Sequence, residues 1–116
     1  MENILEAKAV LRYLRVSARK ARLVLDLIRN KSVNDARKLL EFSNKQVAKD
    51  IKTLLNSAVA NATQVAGKED SSNMVVDKAF ADVAGFQKKH VFKPKGSVHL
   101  TRRRSCHITI GVMVRK

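Results

Sequence analysis

The spacing of hydrophobic positions changes part-way along this chain. In "SARKARLVLDLIRN", Ala21, Val24, Leu25 and Ile28 recur at i, i+3, i+4 and i+7, which predicts a helix with one buried stripe and Ser17 as its N-cap. In "SVNDARKLLEF", Ser32 with Asp35 three residues on has the form of a capping box, and Val33, Ala36, Leu39 and Leu40 line one side. A third helix is predicted over "SNKQVAKDIKTLLNSAVANATQ". Ser43 and Gln46 suggest its capping box, and Val47, Ile51, Leu54, Leu55, Ala58 and Ala62 form its apolar face. The small residues late in that helix leave room for another backbone to come close.

After the loop-like "GKEDSSN" (67–73) the period shortens to two. "CHITIGVMV" alternates cleanly, with Cys106, Ile108, Ile110, Val112 and Val114 on one face and His107, Thr109, Gly111 and Met113 on the other. That is a strand with one buried side. "MVVDKAFADVAG" (74–85) has strand composition but alternates poorly. Pro94 and Gly96 mark a turn between these two runs. "AKAVLRYLRV" near the N-terminus fits helix or strand equally. The predicted fold class is α+β: three helices packed on a small antiparallel sheet of about three strands, in one domain, 1–116. A long hairpin, about 82–104, protrudes from it. At ~3.3 Å per residue, an arm from Ala81 to about Val91 would reach roughly 30 Å. A two-stranded ribbon of that length is marginal in water unless something else holds it.

Composition changes the picture where charge is concerned. The 116 residues carry 24 Lys and Arg against 10 Asp and Glu, a net charge of +14. Residues 83–116 hold nine of the basic residues and none of the acidic ones, so they contribute +9 of that +14. Such asymmetry predicts a localised element that binds a polyanion, and makes nucleic acid the first partner to consider. The single cysteine, Cys106, allows no internal disulfide. No signal-peptide h-region and no apolar run of ~20 residues is visible, which suggests a soluble intracellular protein.

The candidate site residues are cations. Lys88, Lys89, Lys93, Lys95, Arg102, Arg103 and Arg104 lie on the predicted hairpin with no compensating acid. Some of them would serve only to keep an exposed edge from aggregating. A stretch this long is better explained by phosphate contact, which releases counterions and is blind to sequence. His90, His99, Phe86 and Phe92 are interleaved with them; they could stack on unpaired bases, or the phenylalanines could pair across the ribbon. Arg19, Lys20 and Arg22 open the first helix, where positive charge opposes the helix dipole at a cost of a few tenths of a kcal/mol each. With Arg12 and Arg15 just upstream, phosphate contact would outweigh that cost. Lys45, Lys49 and Lys52 share a face of the predicted third helix and fit solvated surface as well as they fit a second patch. Cys106, His90, His99 and His107 match no metal-ligand spacing, and alternation separates Cys106 from His107, so neither a metal site nor a Cys–His nucleophile is expected. Asp77 and Asp82 are expected to pair with nearby Lys or Arg. No catalytic constellation and no cofactor motif is present, and an enzyme is not expected.

Four blocks in order carry a resemblance. "LRVSARKARLVLDLIRNKSVNDARKLLEF" (Leu14 to Phe42), "LLNSAVANA" (Leu54 to Ala62), "VDKAFAD" and "RRRSCHITI" resemble the bacterial form of the large-subunit ribosomal protein L twenty-two family. The resemblance implies that the N-terminal segment is a strand of the sheet. It further implies binding to large-subunit (23S-type) ribosomal RNA, a part in early subunit assembly, and a hairpin that lines the nascent-peptide exit tunnel. The implied partners are several ribosomal RNA domains, neighbouring ribosomal proteins including the L four family, and the nascent polypeptide, in a cytoplasmic or organellar ribosome. By position, Arg15, Ser17, Arg19, Lys20 and Arg22 match the family's RNA-facing block. Lys88 and Lys89 match a basic pair on the outgoing arm, Lys95 and Gly96 match the tip, and Arg103 and Arg104 match the return arm. The tip departs from the family pattern: "FKPKGSV" (Phe92 to Val98) stands where relatives carry arginines, and lysine supplies only a point charge there. The rival readings are a free-standing, chromosome-associated nucleic-acid binder and a protein of anionic membrane surfaces. The second lacks an amphipathic helix with aromatic anchors.

Overall fold

A computed structural model describes the backbone of residues 4–66, 74–92 and 98–115, and the side chains of residues 6–65, 74–85 and 104–114. The elements run β1 (Ile4–Leu14), α1 (Ala18–Ile28), α2 (Val33–Glu41), α3 (Val47–Ala66), β2 (Met74–Phe92) and β3 (Val98–Arg115). The three strands form one antiparallel sheet in the order β1-β3-β2, so the C-terminal strand is central. The α+β architecture agrees with the periodicity, and the segment that fitted helix or strand is strand β1.

Helix starts follow local chemistry. The Ser17 and Ser32 hydroxyls accept the backbone N–H groups of Lys20 and Asp35, giving α1 and α2 side-chain caps. α3 starts later than its sequence suggests: Ser43 Oγ accepts from Lys45 N in a turn, and the helix begins at Val47. Lys45 therefore precedes α3 and does not share its face with Lys49 and Lys52. Leu39, expected inside, is exposed, because only Val33, Ala36 and Leu40 of α2 reach the core.

The helices cover one face of the sheet. Cys106, Ile108, Ile110, Val112 and Val114 of β3 are fully buried there, beside Met74, Val76, Ala79 and Ala81 of β2. Ala7, Ala9, Leu11 and Leu14 of β1 pack against the same core. Each fully buried Leu, Ile or Val contributes about 1.5–3 kcal/mol, so this layer and the buried stripe of α3 dominate stability.

Bulges explain why β2 alternates poorly. Val76 pairs with Val112 and Lys78 with Gly111, so one extra residue enters β2 and shifts its inward phase from Met74 and Val76 to Ala79 and Ala81. A second slip separates Val83 (opposite Cys106) from Phe86 (opposite Arg104), and there Gly85 adopts φ +96, a conformation suited to glycine. β1 has its own bulge between Leu11 and Leu14, where Tyr13 takes φ 57. That slip returns Leu14 to the core face.

β2 is an edge strand, and its outward carbonyls are occupied by Arg22 of α1 and by Arg29, which caps that helix at its C-terminus. Arg22 Nε and Nη2 donate to Ala81 O at 3.2 and 2.9 Å, and the Arg29 guanidinium donates to Ala79 O. Next along, Asn30 N donates to Val76 O and Val76 N to Lys31 O. The edge that would otherwise invite pairing with another chain is thus closed by α1 and the turn after it. On the other edge, Asn61 Nδ2 of α3 donates to Lys8 O at 3.0 Å. This close approach is what the small residues around Ala58 and Ala62 allow.

Candidate nucleic-acid interface

The direction of α1 positions the site. Arg29 reaches Ala79 and Arg22 reaches Ala81, so the N-terminus of α1 points the way β2 runs as it leaves the body. Beyond Ala81 the two long strands stay paired, from Val83 opposite Cys106 out to Phe92 opposite Val98. β1 ends at the same level, with Leu14 opposite Cys106, and the chain turns through Arg15 and Val16 into α1. Three separate segments therefore meet at the base of the hairpin.

That junction is a collar of cations. Arg12 on the β1 bulge, Arg15 in the turn, Arg19, Lys20 and Arg22 on α1, and Arg104 on β3 are all exposed. None of the six forms an ion pair among the described residues, where the one salt bridge is Arg29–Asp26 at 2.7 Å. The first turn of α1 holds no acidic residue, so its unpaired N–H groups add to the positive potential. Like charges crowded this way raise the free energy of the bare protein, and a bound polyanion lowers it.

Two of the predicted residues have intramolecular duties. Ser17 caps α1, and Arg22 forks onto Ala81 O. Of the hairpin residues, Lys88, Lys89 and His90 lie on β2, and His99, Arg102 and Arg103 on β3. The register sets Lys88 opposite Arg102 and Gln87 opposite Arg103. Lys93, Lys95 and Gly96 lie outside the described residues. Directly opposed like charges destabilise an antiparallel pair.

Cys106 and His107 are on opposite faces of β3. The thiol is fully buried, and burial pushes its pKa up, with the nearby Arg22 charge partly offsetting that. The buried, protonated thiol is a poor nucleophile. His107 Nδ1 accepts the Tyr13 backbone N–H at 3.1 Å, and the two rings meet edge-on at 4.6 Å. Asp77 and Asp82, expected to pair with cations, have no ion-pair partner among the described residues.

Sequence reasoning missed the edge-closing role of Arg22 and Arg29. The available signal was their seven-residue spacing, which places both on one side of α1 next to its apolar stripe.

The family model for ribosomal protein L22p/L17e matches residues 9–113 of the 116. The chain belongs to this family. The matched span takes in the three helices and β2 whole, part of β1 and most of β3, and so both hairpin arms. As an L22p/L17e protein it is a structural component of the large ribosomal subunit and works in the ribosome; the family is one of structural proteins, not of enzymes. Among the described residues, no helix is long and apolar enough to cross a membrane.

Proposed function

We propose that this L22p/L17e protein binds large-subunit ribosomal RNA through the cation collar and the hairpin as one continuous surface. The carrying observation is the convergence of Arg12, Arg15, Arg19, Lys20 and Arg104, all exposed and unpaired among the described residues, where the hairpin, acid-free from Val83 onward, leaves the body. Phosphates from separate RNA segments repel one another. A rigid body with a basic ribbon screens them, so binding and RNA packing proceed together, as early assembly of the subunit requires. The elongated outline, 69 Å by 24 Å by 19 Å, suits a ribbon reaching into RNA from a body seated at the surface. In the ribosome the ribbon lines the nascent-peptide tunnel, with its tip beside an L four family protein.

Sedimentation of cell extract tests the proposal. The protein is expected to travel with large-subunit particles in moderate salt and to leave them in high salt, as counterion release demands. A protein that runs free of those particles in moderate salt and binds duplex DNA instead would overturn the reading in favour of the chromosome-associated one.

A further inference from the structure

The face of the sheet turned away from the helices has a different character from the collar. Its cross-strand rows are Glu6–Met113–Val75, Lys8–Gly111–Lys78, Val10–Thr109–Phe80 and Tyr13–His107–Asp82. No described helix covers it. Large apolar side chains stand exposed on it: Val10 at 43%, Phe80 at 41% and Tyr13 at 68%. Gly111 leaves an open depression of about 420 Å³ between the flanking strands, lined by Glu6, Lys8, Asp77, Lys78, Phe80 and Thr109 among others. A Cβ at Gly111 would meet Lys78 Cβ at 3.3 Å, so the lysine stem already overhangs the floor.

Charge is mixed here. Glu6, Asp77 and Asp82 stand against Lys8 and Lys78, in a protein whose net charge is +14. Three of its ten carboxylates thus gather on one sheet face, without ion-pair partners among the described residues. Carboxylates beside a phosphate track would repel it, whereas mixed charges around apolar side chains are how protein–protein surfaces are built.

We propose that this face is a protein-docking surface. A segment of a neighbouring protein would place an apolar side chain over Gly111 and Thr109, against Phe80 and Val10. Its own charges would alternate to match the Glu6/Lys8 and Asp77/Lys78 rims. This rests on the ribosomal reading and adds a second surface of opposite chemistry: RNA on the collar and hairpin, protein on the open sheet.

The test is photocrosslinking in purified large-subunit particles carrying the full chain with p-benzoylphenylalanine at position 80, or at position 19 as the collar control. The expected result is a protein adduct from position 80 that survives ribonuclease and disappears when Gly111→Val fills the depression, together with an RNA adduct from position 19. Melting of the isolated Gly111→Val variant checks that the lost adduct does not reflect unfolding; if it melts early, Phe80→Ser replaces it, with the crosslinker at position 10. RNA adducts from position 80, or none, would overturn the proposal while leaving the RNA reading intact. Failure of position 19 to reach RNA would instead strike the RNA reading.

Discussion

Arg22 lies where stability and binding meet, and replacing it separates the two. Its Nε and Nη2 both donate to Ala81 O, on the edge of β2 where the hairpin begins. A hydrogen bond from a charged donor contributes about 1.5–3 kcal/mol when sheltered. The Arg22 side chain is exposed on one side, and water replaces it at the carbonyl once it is removed, so the cost of Arg22→Ala is reduced to about 1 kcal/mol. For a chain of this size that is a fall in Tm of roughly 4 °C. Arg22→Lys recovers less than half, because an ammonium cannot fork. Arg19→Ala has the opposite signature. It removes a charge that opposes the helix dipole, so Tm holds or rises slightly, while the salt dependence of RNA binding loses about 0.7–0.9 of slope. Thermal melts, and titrations of a large-subunit RNA fragment at several salt concentrations, read both quantities. If Arg22→Ala leaves Tm unchanged and lowers the slope as Arg19→Ala does, the guanidinium is a phosphate ligand and the edge contact holds nothing.

Four further outcomes are expected. Changing Lys88, Lys89, Arg102 and Arg103 together to Ala lowers the salt slope by about 3, and Lys88→Glu, opposite Arg102, slows amide exchange in the free hairpin while weakening RNA binding more than Lys88→Ala does. Leu55→Ala, at a fully buried position on α3, costs about 2–5 kcal/mol in a urea titration. Because burial raises the Cys106 pKa, the folded state holds that proton more tightly than the unfolded state. The resulting stability is complete below the ordinary thiol range and is lost as pH rises through and above it; Cys106→Ala flattens that alkaline decline, and thiol reagents label the wild type only on opening.

The helices were legible because their determinants are local. Ser17 and Ser32 cap within three residues of themselves, and the stripes Ala21–Ile28 and Val47–Ala62 need no knowledge of the rest of the chain. Ser43 misled because the same hydroxyl chemistry that caps a helix also closes a turn, here onto Lys45 N. Strands β1 and β2 were obscured by their bulges. One inserted residue reverses the parity of everything after it, so Val76 and Ala79 both face inward although three positions separate them. The charge run of the hairpin was plain in the sequence, but the collar was not. Arg104 comes from the far end of the chain from Arg12 and Arg19, and only the sheet order and the direction of α1 place it beside them.

The central position of β3 ties the two halves of the molecule together. One strand of 18 residues runs from Val98 in the ribbon to Arg115, and Arg104 is only two residues from the fully buried Cys106. The base of the hairpin is therefore fixed by the same packing that holds the core. RNA that binds only the folded form must stabilise the body through this strand by mass action. Conversely, a core change such as Leu55→Ala weakens RNA binding only to the extent that it depopulates the folded state, with the salt slope unchanged. A body whose Tm ignores saturating RNA would mean that the ribbon binds independently of the fold that carries it.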